Sequence, residues 1–215
     1  MQPHDLTKRI GVIALGVVFV AVIGPSAGAS DESTAKKLVI TEADVGSGFV
    51  AQTPPDVPDV LPQIAECVGK SIEGRKLVAS ERGPKLSNQT EQGLQIDSSV
   101  DIVKTKAMAE AYKAVVSSAK YPGCVAQGPK DSHLTSPVDV QRARVKKYGD
   151  YSTAVIVRVD NSEPVAKFTI YGVEIQKGRA LLRASFVING TTPYDRAAAE
   201  KIIDNVAKRL DKAKV

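Results

Sequence analysis

The sequence predicts an α+β domain in which an antiparallel β-sheet is flanked by amphipathic helices. From residue 138 onward, stretches that alternate apolar and polar residues follow one another with short turns between them, which is typical of antiparallel strands. Two other stretches, 105–119 and 192–212, place apolar residues at helical spacing. Hydrophobic residues make up 43% and charged residues 25% of the 215 residues, the balance of an ordinary globular domain.

The first 29 residues have the pattern of a secretory signal peptide. Lys8 and Arg9 precede an apolar run over residues 10–24, and the small residues that follow predict cleavage after Ala29. The alternative is a membrane anchor that is kept, but a span takes roughly 20 apolar residues and this run is shorter. We therefore expect export to a secreted or cell-envelope location, with no stable membrane span after cleavage.

The mature chain is expected to form one domain behind a short lead. Residues 30–37 are small and charged, which predicts a flexible segment. No repeat and no shift in composition divides residues 38–215, so we expect a single α+β domain there. Apolar residues at helical spacing over residues 60–68 predict a short helix from which Cys67 points inward.

The remaining elements follow from periodicity and from turn residues. Thr105 is the predicted N-cap of the first long helix, and Thr192 with Pro193 is predicted to open the last one. Two turns between strands are predicted, one at Gly149 and Asp150 and one at Gly178, which lies between Lys177 and Arg179. The predicted strands are 94–102, 140–146, 153–159, 165–176 and 180–188.

Cys67 and Cys124 both remain after signal cleavage. In an oxidising compartment, two cysteines most simply form one disulfide. The alternative is a redox-active pair, but such pairs usually have C-x-x-C spacing, and these residues are far apart in sequence. We therefore predict a structural disulfide between Cys67 and Cys124.

The sequence offers little for catalysis. His133 is the only histidine left after signal cleavage, and no G-x-S-x-G nucleophile elbow accompanies it. Too few nitrogen and sulfur ligands remain for zinc, and neither a calcium loop nor a phosphate-binding loop is present. The net charge of +5 falls by one with the signal, well short of a nucleic-acid binder. We predict a non-catalytic protein without a cofactor, with a hydrolase that uses His133 as the alternative.

Basic residues at every second position form the first candidate site. Arg142, Arg144 and Lys146 are predicted to share one strand face. This stripe is either an anion-binding surface or a solvated face whose charges prevent edge pairing.

A second candidate is a concave, partly apolar pocket on the other sheet face. Tyr148 and Tyr151 flank the predicted turn at residues 149–150, where they can frame a contact site or pack across the hairpin. Tyr171 and Arg183 are predicted to share the second face, which needs either a helix or a ligand over it. The candidate ligand-binding residues are Arg142, Arg144, Lys146, Arg183, Tyr148, Tyr151 and Tyr171.

Five short features carry a family resemblance. They are residues 38–49, with the sequence LVITEADVGSGF, the cysteine Cys67, the strand 98–103, the alanine-rich helix that follows it and the segment 121–124, with the sequence YPGC. Together they resemble the actinobacterial exported sensor-domain family, which includes mycobacterial Lpq-type lipoproteins and is similar to the extracellular sensor domain of PknH-type kinases.

The resemblance implies an α/β/α sandwich similar to the Mog1/PsbP fold, with a ligand-binding cleft and no catalytic residue. This chain departs from the family in two ways. No lipoprotein cysteine ends the apolar run, and the chain can form one disulfide, whereas the kinase sensor domains have two. We expect a sensor-like binding domain for an unidentified small envelope molecule or protein. The alternative is a protein-interaction module without a small ligand.

Overall fold

Antiparallel strands form one sheet with helices against both of its faces. The computed structural model describes residues 29–54, 59–72, 76–88, 93–127, 138–162, 165–189 and 195–215. The helices are α1 (Ala29–Leu38), α2 (Glu42–Val45), α3 (Leu61–Val68), α4 (Lys106–Val116), α5 (Tyr121–Gln127) and α6 (Arg196–Lys212). The strands are β1 (Phe49–Gln52), β2 (Leu77–Arg82), β3 (Lys85–Asn88), β4 (Gln95–Val103), β5 (Val138–Ala143), β6 (Tyr151–Ser162), β7 (Val165–Lys177) and β8 (Ala180–Asn189).

The sheet has the strand order β1-β3-β4-β8-β7-β6-β5, and β2 also pairs with β4. Each of these pairings is antiparallel. Strands β5 to β8 pair consecutively along the chain, and β8 joins them to β4. The predicted α+β class with an antiparallel sheet is confirmed.

Strands β2 and β3 share one edge of β4, and Gly83 connects them. Its backbone N–H donates to the Ser98 carbonyl at 2.9 Å. A Cβ at this position would lie 2.5 Å from Ser98 Oγ and 2.9 Å from the Ile40 carbonyl oxygen. The Ile40 N–H in turn donates to Ser98 Oγ at 2.9 Å. A glycine is therefore needed where the chain after α1 packs onto the sheet.

Helices α1 and α6 cover the first face of the sheet. The apolar side of α6 is buried there as predicted, with Ile203, Val206 and Leu210 at most 1% exposed. The helix begins later than expected, because Asp195 is its N-cap and its Oδ1 accepts from the Ala198 N–H at 3.1 Å. The predicted cap at residues 192–193 lies outside the described residues.

Helices α3, α4 and α5 cover the second face, packed against Val103, Leu181 and Val187. The predicted cap of α4 is confirmed, since Thr105 accepts a hydrogen bond from the Met108 N–H. The predicted disulfide is confirmed as well: it joins α3 to α5, with the two Cα atoms 5.8 Å apart. The three helices thus form one layer in which α3 and α5 are cross-linked.

The prediction of a flexible lead over residues 30–37 is wrong, because these residues belong to α1. Ala35 and Leu38 are each 1% exposed and pack into the core beneath this helix. Asp31 pairs with Arg179, in the turn between β7 and β8, at 3.0 Å. The short side chain of Ala35 lets a largely polar helix approach the strands closely, and composition alone could not indicate that contact.

Candidate functional site

The predicted basic stripe is divided between the two faces of the sheet. Strand β5 ends at Ala143, so the alternation that would keep the three residues together stops before Arg144. Arg142 donates to the carbonyls of Val116 and Ser118 at 2.7 Å each, on the side of α4. Lys146 Nζ instead lies 3.0 Å from a carboxylate oxygen of α6, on the opposite side. The prediction of one shared strand face is therefore wrong, and Arg144 is exposed beyond the strand.

Two of the candidate tyrosines lie on the α6 side. The Tyr148 hydroxyl donates to Asp204 of α6 at 2.7 Å, and both burial and this carboxylate raise the pKa of Tyr148. Tyr171 is fully buried and packs against Phe186 with ring centroids 6.2 Å apart. The prediction that Tyr171 and Arg183 share a face is wrong. Tyr171 pairs with Phe186 on β8, and Arg183 lies three residues before Phe186 and therefore on the opposite face of the sheet.

The second face brings the other candidates near one another. Arg183 is 6% exposed, and the guanidinium of Arg142 lies 5.6 Å from the ring centroid of Tyr121 beside it. Tyr151 is half-buried at the margin, with Lys113 Nζ 5.7 Å from its ring centroid. The seven predicted residues therefore do not surround one site, but Arg142, Tyr151 and Arg183 border a common region.

That region holds a cluster of buried polar side chains, which we call the polar cluster: Asp101, Tyr112, Tyr121, Glu174, Gln176 and Arg183. Arg183 forms an ion pair with Asp101, whose side chain is completely buried. Ser80 donates to the same carboxylate at 2.7 Å, and the guanidinium lies 5.8 Å from the ring centroid of Tyr112. The positive charge of Arg183 is thus already balanced within the fold.

Glu174 is the second carboxylate of the polar cluster. It lies directly opposite Arg183 in the β7–β8 register, and Tyr121 donates to its Oε1 at 2.8 Å. Burial raises the pKa of Glu174 above its usual value, although Arg183 and Tyr121 act in the other direction. The neutral form of this carboxyl is therefore favoured more strongly than in the unfolded chain.

Several buried acceptor atoms on this face have no hydrogen-bond partner among the residues that the structure describes. They are Glu174 Oε2, Gln176 Oε1, Gln95 Oε1 and Asp97 Oδ2. Burial also raises the pKa of Asp97, in spite of the nearby Lys85 and Arg82. A buried polar atom without a partner is costly and marks a place where a water molecule or another polar group is expected.

Small residues lie beside the polar cluster and leave room above the sheet. Asp97, Ser185 and Gly172 are adjacent across β4, β8 and β7, and all three are partly exposed. We call them the small-residue row. A Cβ on Gly172 would meet nothing closer than Val155 Cγ2 at 3.5 Å. This row is therefore the accessible side of the polar cluster.

Sequence reasoning identified only Arg183 within the polar cluster. The alternation in β4 separated Gln95, Asp97 and Asp101 from the apolar residues, and β7 places Glu174 and Gln176 in the same way. Alternation separates the two faces of a strand, but it does not reveal whether the polar face meets water or a helix. The available signal was the pair of opposite charges on two consecutive strands, Glu174 on β7 and Arg183 on β8.

We expect Glu174→Gln to remove a decline in stability between acidic and neutral pH. A carboxyl whose pKa is raised by folding binds its proton more tightly in the native state, so the free energy of unfolding falls as pH rises through that pKa. Glutamine resembles the neutral carboxyl, and the variant should be at least as stable as the wild type at pH 7. Urea unfolding from pH 4 to pH 8 measures this difference.

Asp204→Asn serves as the control of opposite sign. The Tyr148 hydroxyl and Lys146 lower the pKa of Asp204, so its contribution to stability is present at neutral pH and is lost as pH falls. A Glu174→Gln variant that is less stable than the wild type at pH 7 would contradict the raised pKa.

His133, the residue of the alternative hydrolase, lies outside the described residues. Within the described ranges, no group of three His, Cys, Asp or Glu side chains is arranged as metal ligands would be. None of the helices described there is both long enough and apolar enough to cross a bilayer.

No protein-family model and no curated protein sequence matches this chain. Among solved structures, it is similar to the extracellular domain of PknH from Mycobacterium tuberculosis, with 17% sequence identity and a TM-score of 0.50. The similarity covers 90% of this chain and 100% of the PknH domain. At this level of identity the likeness shows the fold alone. The closer assignments to the Mog1/PsbP fold and to the Lpq-type lipoproteins stay predictions.

Proposed function

We propose that this chain is an exported, non-catalytic binding domain for a small envelope molecule. Its binding site consists of the polar cluster and the small-residue row, beneath the helical layer α3–α5. The observation that carries the proposal is the set of buried polar atoms without a hydrogen-bond partner among the described residues, above all Gln176 Oε1, Glu174 Oε2 and the Tyr112 hydroxyl. Gln176 is 1% and Glu174 9% exposed. Bulk water therefore cannot supply all the hydrogen bonds that their buried oxygens lack.

The unpartnered atoms indicate the chemistry of the ligand. The amide and carboxylate oxygens accept hydrogen bonds, whereas the Tyr112 hydroxyl and a protonated Glu174 carboxyl can also donate. A matching ligand therefore supplies both donors and acceptors. Because Asp101 already balances Arg183, an anionic ligand would gain little from that guanidinium. We infer an uncharged ligand that carries hydroxyl groups, such as a sugar or another polyol.

Three observations support action outside the cytoplasm. The first residues have the pattern of a signal peptide. The Cys67–Cys124 disulfide fits an oxidising compartment. The fold is similar to that of an extracellular domain.

We expect protein purified from its own envelope fraction to retain an adduct in native mass spectrometry. Gly172→Val should lower the occupied fraction at least about ten-fold, because the added isopropyl group fills the space above the small-residue row, and each methylene-sized misfit in a binding pocket costs on the order of 1 kcal/mol. Ala51→Val, on the exposed strand β1, adds two methyl groups away from the site and should leave the occupancy unchanged.

An adduct that both variants retain equally would place the ligand elsewhere. If cross-linking recovers a single protein while no small molecule is retained, the interaction module becomes the better description. Hydrolysis that His133→Ala abolishes would instead favour the enzyme.

A further inference from the structure

Three polar residues lie on a diagonal across the interior of the sheet. Gln95 is on β4, Ser185 on β8 and Glu174 on β7, and these strands neighbour one another in that order. Gln95 pairs with Val187, two residues beyond Ser185, and Ser185 pairs with Gly172, two residues before Glu174. Each step is therefore one between diagonal neighbours, and all three side chains are on the face that α3–α5 cover. We call these three residues the polar diagonal.

The two ends of the polar diagonal carry atoms that the fold does not use for hydrogen bonding. Gln95 Oε1 and Glu174 Oε2 are buried and have no hydrogen-bond partner among the described residues. Ser185, in the middle, is partly exposed. A Cβ on the neighbouring Gly172 would meet nothing closer than Val155 Cγ2 at 3.5 Å. The middle of the polar diagonal is therefore open, while its ends hold the groups that lack a partner.

The geometry of the sheet sets the distance between these two ends. Diagonal neighbours on one face are about 7–8 Å apart, so Gln95 and Glu174 are separated by roughly 15 Å. A hydrogen bond at each end covers about 3 Å, which leaves roughly 9 Å between the two ligand atoms that make these bonds. The hydroxyl groups of a single sugar ring lie closer together than that. A sugar that satisfies both ends therefore has at least two rings.

We propose that the ligand is an uncharged linear oligosaccharide of two or more sugar rings, bound along the polar diagonal from Gln95 to Glu174. This inference rests on the proposed function and adds the length of the ligand and its direction across the strands. One ring contacts the polar cluster through Glu174, and the next passes over Ser185 toward Gln95.

The position of the polar diagonal inside the sheet favours a sugar over an extended peptide. Strands β4, β8 and β7 each pair with strands on both sides, so a peptide finds no free strand edge to join. Side chains are left to recognise the ligand, and hydroxyl groups supply both the donors and the acceptors that they require. A cationic ligand is not favoured at the outer end, because Lys85 and Arg82 already place positive charge near Asp97, the next residue of β4 on this face.

Native mass spectrometry of the full chain with neutral glycans tests this length. The probe is a pool of neutral glycans from the same envelope, separated by size into single sugars, disaccharides and longer chains. We expect disaccharides and longer chains to bind at least about ten-fold more tightly than single sugars, because only they form hydrogen bonds at both ends. Equal affinities would place the ligand at one end alone, which would overturn the inference and leave the proposed function intact.

Gln95→Leu separates the outer end of the polar diagonal from the inner end. Leucine keeps most of the bulk but removes the amide, so the affinity for disaccharides should fall about five- to ten-fold. The affinity for single sugars should stay unchanged. The free energy of unfolding should not fall, because Gln95 Oε1 makes no hydrogen bond within the part of the chain that the structure describes. Gln52→Leu makes the same change on the exposed strand β1 and, as the matched control, should leave every affinity unchanged.

Different results contradict the oligosaccharide and the binding domain itself. An undiminished affinity for disaccharides in Gln95→Leu, or an equal loss for single sugars and disaccharides, would overturn the oligosaccharide alone. An adduct that the envelope protein retains but no glycan fraction reproduces would also overturn it, in favour of another ligand at the same site. If the protein retains no adduct and binds no glycan, the proposed function fails as well.

Discussion

Arg183→Met is expected to lower the free energy of unfolding by about 3–5 kcal/mol. The substitution keeps the length and much of the volume of the side chain but leaves the carboxylate of Asp101 buried without its counter-charge. Asp101 is completely buried and would retain only the hydrogen bond from Ser80. Urea unfolding at pH 7 measures the loss, which should appear as a shift in midpoint at a nearly constant slope.

Arg158→Met is the matched control, because it removes the same charge from an ion pair at the surface. Arg158 Nη1 lies 3.0 Å from Asp139 Oδ2, and both side chains are 52% exposed. Such pairs contribute about 0–1 kcal/mol, so this variant should be nearly as stable as the wild type. Similar losses in the two methionine variants would show that burial of the Arg183 pair does not determine its contribution.

A double-mutant cycle then isolates the pair itself. Asp101→Asn removes the charge that Arg183 balances, but Glu174 lies opposite Arg183 and can ionise in its place. The loss in Asp101→Asn should therefore be smaller than in Arg183→Met. The double variant Asp101→Asn with Arg183→Met contains neither charge and should recover at least about 1 kcal/mol relative to the sum of the single losses. Strictly additive losses would contradict a direct interaction.

Much of the fold could be predicted because its elements follow from local patterns. Ile203 and Leu210 repeat at helical spacing, and Thr105 precedes a helix whose cap it forms. The consecutive strands after residue 138 needed only alternation and turn residues to be identified as antiparallel. The pairing of Cys67 with Cys124 followed from there being two cysteines in a chain whose first residues predict export.

The candidate site could not be predicted, because it depends on which helix covers which face. The alternation around Asp101 and Glu174 does not show that α4 and α5 cover these residues. The basic stripe failed for a related reason, since Arg144 and Lys146 follow the point where β5 stops. The register of β7 with β8, which separates Tyr171 from Arg183, is likewise set by the whole sheet.

Removal of the disulfide by Cys67→Ala with Cys124→Ala is expected to lower the free energy of unfolding by about 4 kcal/mol. The cysteines are 57 residues apart, and the chain-entropy treatment of a cross-linked unfolded chain gives a loop of this length roughly that value. Urea unfolding of the oxidised wild type and of the double variant measures the difference. The wild type under reducing conditions is the control, since it loses the cross-link while keeping both side chains.

The loss should also be distributed unevenly over the domain. The disulfide joins α3 to α5, and these helices lie with α4 above the polar cluster, whereas α1 and α6 pack on the other face. Hydrogen exchange should therefore accelerate more in α3 and α5 of the alanine variant than in α6. A uniform acceleration, or a loss below about 1 kcal/mol in both the alanine variant and the reduced wild type, would contradict this role. If the difference is found, the disulfide restricts the opening of the helical layer above the polar cluster.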